Sequence, residues 1–181
     1  MHRLVSGIRM PGLEDPVAAH DTWLASLWDQ SVSSDDQVYV LGDISINGAQ
    51  SALDWISARP GTKHLISGNH DPVHPAHRTA VKLLPKWNQY FDTIQPFMRR
   101  KLNGHEFLLS HFPYASYGDG PDRKPETRFE QYRLPELGLP LLHGHTHGQE
   151  RDHDNMFHVG IDAWKGLVPQ EVVQDWLNGI S

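Results

Sequence analysis

Four short apolar runs in this sequence each end directly on Asp, Asn or His, and that arrangement restricts the fold more than any other feature. Val38-Tyr39-Val40-Leu41 leads into Gly42-Asp43, and His64-Leu65-Ile66-Ser67 into Gly68-Asn69-His70-Asp71. Phe107-Leu108-Leu109-Ser110 leads into His111, and Leu141-Leu142 into His143-Gly144-His145-Thr146-His147. Apolar runs of this length read as strands buried on both faces. Polar residues gathered at strand ends suit a site better than a core, since α/β sheets place their ligands beyond the carboxyl ends of the strands. Four such ends predict one shared centre.

The connecting segments set the fold class. Asp15-Pro16 pairs an N-cap with proline at the first helical position, and Val17, Asp21, Leu24 and Trp28 recur at helical spacing to about Gln30. Trp23 and Trp28 belong to that helix as packing residues. Ala49, Ala52, Leu53 and Ile56 form a second stripe, stopped by Pro60-Gly61, before a strand at Lys63–Ser67. Together with Val38–Leu41 this is a parallel β-α-β crossover. A short helix is expected around Arg78–Leu84. Asn103-Gly104 between Phe97–Leu102 and His105–Ser110 is a strong hairpin signal, so the second half reads as antiparallel. Strands at Leu139–His143 and Met156–Ile161 and a helix near Pro169–Leu177 complete the pattern. The stretch Phe112–Leu137, rich in Gly, Pro and charge, has the length of a lid or a flexible insert. We expect an α/β protein with residues 1–181 forming one domain.

Composition narrows the partners. The chain has 181 residues, enough for a real core, and nothing approaches the ~20 consecutive apolar residues of a membrane span. There is no cysteine, which excludes disulfides and thiolate metal sites, and a cytoplasmic location is expected. The formal net charge of −6 argues against a dedicated partner of duplex nucleic acid, but not against small phosphate esters, because bound divalent cations would reverse the local sign. Oligomeric state has no signature in the sequence.

Asp43, Asn69, His111, His145 and His147 make a mixed oxygen and imidazole set. Such a set suits Mn²⁺, Zn²⁺, Fe²⁺, Co²⁺ or Ni²⁺ and argues against Ca²⁺. Two ions roughly 3.5–4 Å apart can clamp a phosphoryl group and activate water, the kind of concentrated charge that slow phosphate-ester hydrolysis needs. His145 and His147 alternate along an extended turn, so both reach one side, with His143 facing the other way. His70, beside Asn69, is placed to donate a proton to a leaving alkoxide and to contact substrate together with Asn69, and Asp71 to orient it. His74 and His77 are expected at the rim of the site.

In order and spacing, Gly42-Asp43, Gly68-Asn69-His70-Asp71, Ser110-His111-Phe112-Pro113 and Gly144-His145-Thr146-His147 resemble the calcineurin-like metallophosphoesterases, particularly their small bacterial and phage phosphoesterases. Val159-Gly160-Ile161-Asp162-Ala163-Trp164 looks like that family's closing strand. The resemblance implies a four-layer α/β/β/α sandwich of two mixed β-sheets flanked by helices, the metallo-dependent phosphatase fold, with a dinuclear centre of two divalent metal ions. It implies that Asp43 bridges the ions, Asn69, His111 and His145 complete one site, His147 serves the other, and His70 is the catalytic proton donor. A metal-activated hydroxide would attack a phosphodiester, nucleotide-derived among the candidates, or a phosphomonoester.

One motif is missing. The family opens on a strand carrying Asp-x-His, whose side chains ligate the second ion, and nothing before Gly42-Asp43 reads so. His2-Arg3-Leu4-Val5 resembles the segment that follows that motif, which implies that the first strand and its ligands lie ahead of Met1. The rival expectation is a natural variant with one complete metal site, with His2 or His20 recruited. The functional alternative is then a metal-binding, catalytically impaired module of the same fold. A metallohydrolase of another class is disfavoured, because no His-Glu-x-x-His is present.

Overall fold

The computed structural model describes residues 9–46, 49–120 and 129–180. The segment His2-Arg3-Leu4-Val5 and residues 121–128 of the long loop lie outside these, so the expectations placed on them have no structural counterpart here.

Helix α1 (Pro16–Ser31) starts as its sequence dictates, with the Asp15 carboxylate accepting from Val17 N at 3.1 Å and Ala18 N at 3.0 Å. Strand β1 (Gln37–Val40), helix α2 (Ala49–Ser57) and strand β2 (Thr62–Ile66) form the expected parallel crossover. Helix α3 (Ala80–Trp87) runs past Pro85, because its C-terminal Trp87 is almost fully buried in the core. A third parallel strand, β3 (Thr93–Gln95), completes a sheet of order β1-β2-β3. Its three residues lie just before the hairpin and carry no period of their own, which is why the sequence does not announce them.

The hairpin forms as expected, β4 (Phe97–Leu102) against β5 (His105–Ser110). Strands β6 (Leu141–His143), β7 (Asp152–His153) and β8 (Met156–His158) extend it to a second sheet of order β4-β5-β6-β8-β7. Three expectations need correction. Among the described residues the first sheet is parallel throughout and only the second is mixed, with β5, β6 and β8 parallel to one another. Strand β8 stops at His158, and Ile161–Trp164 is a short helix, α4, entered through Gly160. The second correction has a local cause, since a side chain at Gly160 would run into the His158 ring. Thirdly, the parallel pairing in the second half follows from β6 and β8 each returning through connections long enough to cross over, which a hairpin-like reading does not allow for.

Alternation along the strands builds two cores. Leu65 faces Trp28, Leu53, Ile56, Val73, Trp87 and Phe91 on the side of α1, α2 and α3, while its neighbour Ile66 faces Phe107, Leu109, Leu142 and Phe157 of the second sheet. Helix α5 (Gln170–Gly179) closes that inter-sheet core with Val173 and Leu177, and Trp176 stacks on Phe157 at 4.9 Å. The opposite face of the second sheet, Leu141 and Met156, is covered by Tyr114 and Leu134 from the long segment after β5. The molecule is therefore mixed α/β, two sheets flanked by helices. No helix among the described residues is long and apolar enough to cross a membrane.

A candidate metal centre

The two sheets bring the carboxyl ends of β1, β2, β5 and β6 together. Backbone approach at this junction is close enough to demand glycine twice. A Cβ on Gly42 would stand 2.6 Å from Gly68 Cα and 2.9 Å from His111 Nδ1, and one on Gly68 would stand 2.7 Å from both Asp43 N and His111 Nδ1. Gly42 also has φ +77°, so the chain leaves β1 in a left-handed conformation that continues into Asp43 at φ +54°.

Three lone-pair donors surround a fourth. His111 Nε2 lies 3.2 Å from Asn69 Oδ1, 3.2 Å from His145 Nδ1 and 3.3 Å from Asp43 Oδ2. The other nitrogen of His111 donates to Leu41 O at 2.7 Å, tying the end of β5 to the end of β1 and leaving Nε2 for the cluster. Three acceptors facing a fourth repel one another unless a proton or a cation stands between them. Burial would push the Asp43 carboxyl up, but the His111 hydrogen bond and charge and the His70 amide hold it down to about 2. Burial likewise lowers His111, yet Asp43 outweighs it and the ring is held above its ordinary value. The strand ends thus gather their lone pairs at a point where a divalent ion fits. Asp43, His111 and His145 have ligand atoms within 4.8 Å of one another, and this buried Asp/His group is able to hold a metal ion.

The other expected site residues are placed as follows. Asn69 belongs to the group through its side-chain Oδ1, while its backbone carbonyl meets His77 Nε2 at 2.8 Å. His70 donates its backbone N–H to Asp43 Oδ1 at 2.8 Å and its ring lies exposed. Asp71 is fully buried and does not orient His70: Oδ2 accepts from Gly68 N at 2.8 Å and Asp43 N at 2.9 Å, and Oδ1 from Ile44 N at 3.0 Å. It joins the two ligand loops, and burial pushes it up to about 6 against those amide bonds. His74 is buried edge-on to Phe112 and Tyr132, away from any rim.

His145 and His147 do not alternate along an extended turn. Both have left-handed backbones, φ +69° and +52°, so their rings diverge. His145 joins the cluster, whereas His147 is half exposed and its Nδ1 meets Asp162 Oδ2 at 2.8 Å. Asp162 is held in turn by Arg9, whose Nε and Nη2 donate to it at 2.7 and 2.6 Å, and Arg9 Nη1 lies 2.9 Å from Nε2 of the buried His20. Burial alone would raise Asp162, but His147 and Arg9 keep it well below the usual carboxylate range.

Sequence reasoning missed Asp119 and Arg133. Asp119 Oδ1 accepts from His145 Nε2 at 3.0 Å and pairs with Arg133, whose Nη1 donates to Gly118 O at 2.7 Å. The one available signal was Gly118-Asp119-Gly120, a carboxylate between two glycines at φ +62° and +100°.

Burial of neutral imidazoles gives the metal-free protein a pH profile. Burial holds His143 down to about 3 and His74 to about 4, and His145 to about 4 against the pull of Asp119. A depressed histidine contributes stability that is present above its unfolded value near 6.5 and lost as pH falls towards 4. Asp71, between its ordinary 3.8 and about 6, and His111, held above its ordinary value, act in the opposite sense, but the three depressed histidines outnumber these two. Unfolding free energy in EDTA is expected to fall by about 1.4 kcal/mol per pH unit between pH 6.5 and 4.5, one net proton's worth. Denaturant titrations at half-unit intervals check this, and a flat profile contradicts it.

Fold and site together define an α/β protein whose strand ends carry a group able to hold a metal ion. No family model matches the chain. The Gene 66 protein of Mycobacterium phage D29 is 42% identical over 174 residues, covering 90% of this chain and 85% of that protein. The Gene 66 protein of Mycobacterium phage L5 is 42% identical over 193 aligned residues, 99% of this chain and 90% of that protein. The chain belongs to the family of these mycobacteriophage Gene 66 proteins. In fold it is similar to a protein of unknown function, AQ665 from Aquifex aeolicus, with TM-score 0.67 and 19% identity over 96% of this chain and 91% of that one.

Proposed function

We propose that this chain is a metal-dependent phosphoesterase with the four-layer sandwich of the calcineurin-like metallophosphoesterases. The observation that carries the reading is the convergence of Asn69, His145 and Asp43 on His111 Nε2 within 3.2–3.3 Å. One anionic oxygen, one neutral oxygen and two imidazoles suit Mn²⁺, Zn²⁺, Fe²⁺, Co²⁺ or Ni²⁺. Asp43, Asn69, His111 and His145 would hold one ion, and His147, with Asp43 shared, is the residue to serve a second. When bound, such ions supply Lewis-acid charge to a phosphoryl group and make water a stronger nucleophile.

The chain's own groups do the rest. Asn69 adds coordination without adding negative charge, which preserves attraction for an anionic substrate. His111 keeps its proton on Nδ1, against Leu41 O. His70 is fastened by its backbone to Asp43 while its ring stays exposed, so an imidazole N–H can pass a proton to the departing alkoxide. With no cysteine and no serine-nucleophile signature in the sequence, direct attack by water is the route proposed. A small phosphodiester, nucleotide-derived among the candidates, is the substrate class put first, ahead of phosphomonoesters.

A specific observation favours a second reading. Among the described residues only one set of donors converges, and His147 is turned to Asp162. A one-metal, catalytically impaired module would look like this. Mn²⁺-dependent hydrolysis of an aryl phosphodiester separates the two readings. The enzyme reading expects turnover that His70→Ala lowers by about 10²–10⁴-fold with metal affinity unchanged. Metal binding without turnover selects the module.

A further inference from the structure

We propose that Asp119 is a positioning residue for the metal centre, holding the His145 ring so that Nδ1 faces the ion. The inference rests on the metal-centre reading above. Opposite nitrogens of one imidazole face two different partners: Nε2 lies 3.0 Å from Asp119 Oδ1, and Nδ1 lies 3.2 Å from His111 Nε2. An N–H donated to a carboxylate leaves the lone pair on Nδ1, fixes the ring's rotation and raises its basicity as a ligand. His145 needs such a hold, because its left-handed backbone at φ +69° is a conformation a histidine does not keep without support.

The support is itself supported. Arg133 pairs with Asp119, and the side chains of the two are 1% and 6% exposed. The Arg133 guanidinium lies over the Phe112 ring at 5.1 Å, and Phe112 packs on the His145 ring at 4.9 Å. His145, Asp119, Arg133 and Phe112 thus form a closed circuit joining the segment after β5 to the loop after β6. A buried ion pair is a poor device for stability alone, because desolvation offsets most of its attraction. Here it aims a carboxylate at a ligand.

The deciding variant is Asp119→Asn, which keeps the shape and an acceptor oxygen but loses the charge; Asp119→Ala removes the acceptor as well. Zn²⁺ affinity is read by competition with a chromophoric chelator, and the His145 ring by its imidazole N–H resonance. The proposal expects Zn²⁺ binding about tenfold weaker in Asp119→Asn and up to about 100-fold weaker in Asp119→Ala. It also expects a low-field, slowly exchanging His145 N–H that persists in Asp119→Asn and vanishes in Asp119→Ala. Should Asp119→Ala not fold, Asp119→Asn decides alone. Wild-type Zn²⁺ affinity in Asp119→Asn, with His145→Ala abolishing binding, overturns the positioning role and leaves the metal centre standing. Unchanged affinity in His145→Ala overturns the metal centre itself.

Discussion

Zn²⁺ or Mn²⁺ at a thousandfold excess over its dissociation constant is expected to stabilise the folded chain by about 4 kcal/mol, a rise in Tm of roughly 8–16 °C for a chain of this size. The reason lies in the electrostatics of the metal-free site. Asn69 Oδ1, His145 Nδ1 and Asp43 Oδ2 crowd His111 Nε2 at 3.2–3.3 Å, so that their lone pairs repel one another. A divalent ion offsets that repulsion, and because carboxylate and imidazole bind it in their deprotonated forms, binding weakens as pH falls. Asp43→Asn and His111→Ala should each abolish the shift. His111 is also buried structure, since its Nδ1 holds Leu41 O at 2.7 Å, so His145→Ala at the cluster's edge is the cleaner control for folding. An equal shift in all three variants would place the ion elsewhere and remove the site from consideration.

Asp71→Ala is expected to destabilise the protein by about 3–5 kcal/mol, beyond the usual range for one substitution. Three backbone amides, of Gly68, Asp43 and Ile44, lose their acceptor in a place where water cannot replace it. The loops they anchor carry Asp43 and Asn69, so metal binding fails with the fold. Asp71→Asn is instructive because it preserves shape. Whichever way the amide turns, its NH₂ faces an N–H, and about 1–3 kcal/mol is lost. Thermal and denaturant unfolding of both variants measures this. A variant of normal stability and reduced turnover would instead restore the reading of Asp71 as the partner of His70.

That reassignment shows where sequence reasoning stops. Asp71 sits one position from His70, and adjacency suggested that one residue served the other. Its carboxylate instead reaches 27 and 28 positions back, to Ile44 and Asp43. The reading of His145 and His147 failed for a related reason. Alternation assumes extended backbone, while both residues are left-handed, so two histidines two positions apart serve different neighbours. The strand over Met156–Ile161 was cut short because Gly160 packs against His158, a contact that hydrophobic pattern alone does not encode.

The sequence by itself determined the strands whose ends meet and the donors they carry. Asp43, Asn69 and His111 are legible because each stands two or three positions past the last apolar residue of a run, and Gly42 and Gly68 mark the backbone approach that seats them. Those are local requirements, written within a few residues. Tertiary structure alone decided what surrounds the donors: Asp119 on His145 from 26 positions away, Arg133 on Asp119, Asp162 on His147, and Arg9 on Asp162 from 153 positions away. A carboxylate or guanidinium from any loop can make such contacts, provided the fold brings it within hydrogen-bond reach. They leave no period, spacing or turn requirement in the sequence, because their geometry is set by the packing of two sheets and not by the chain on either side.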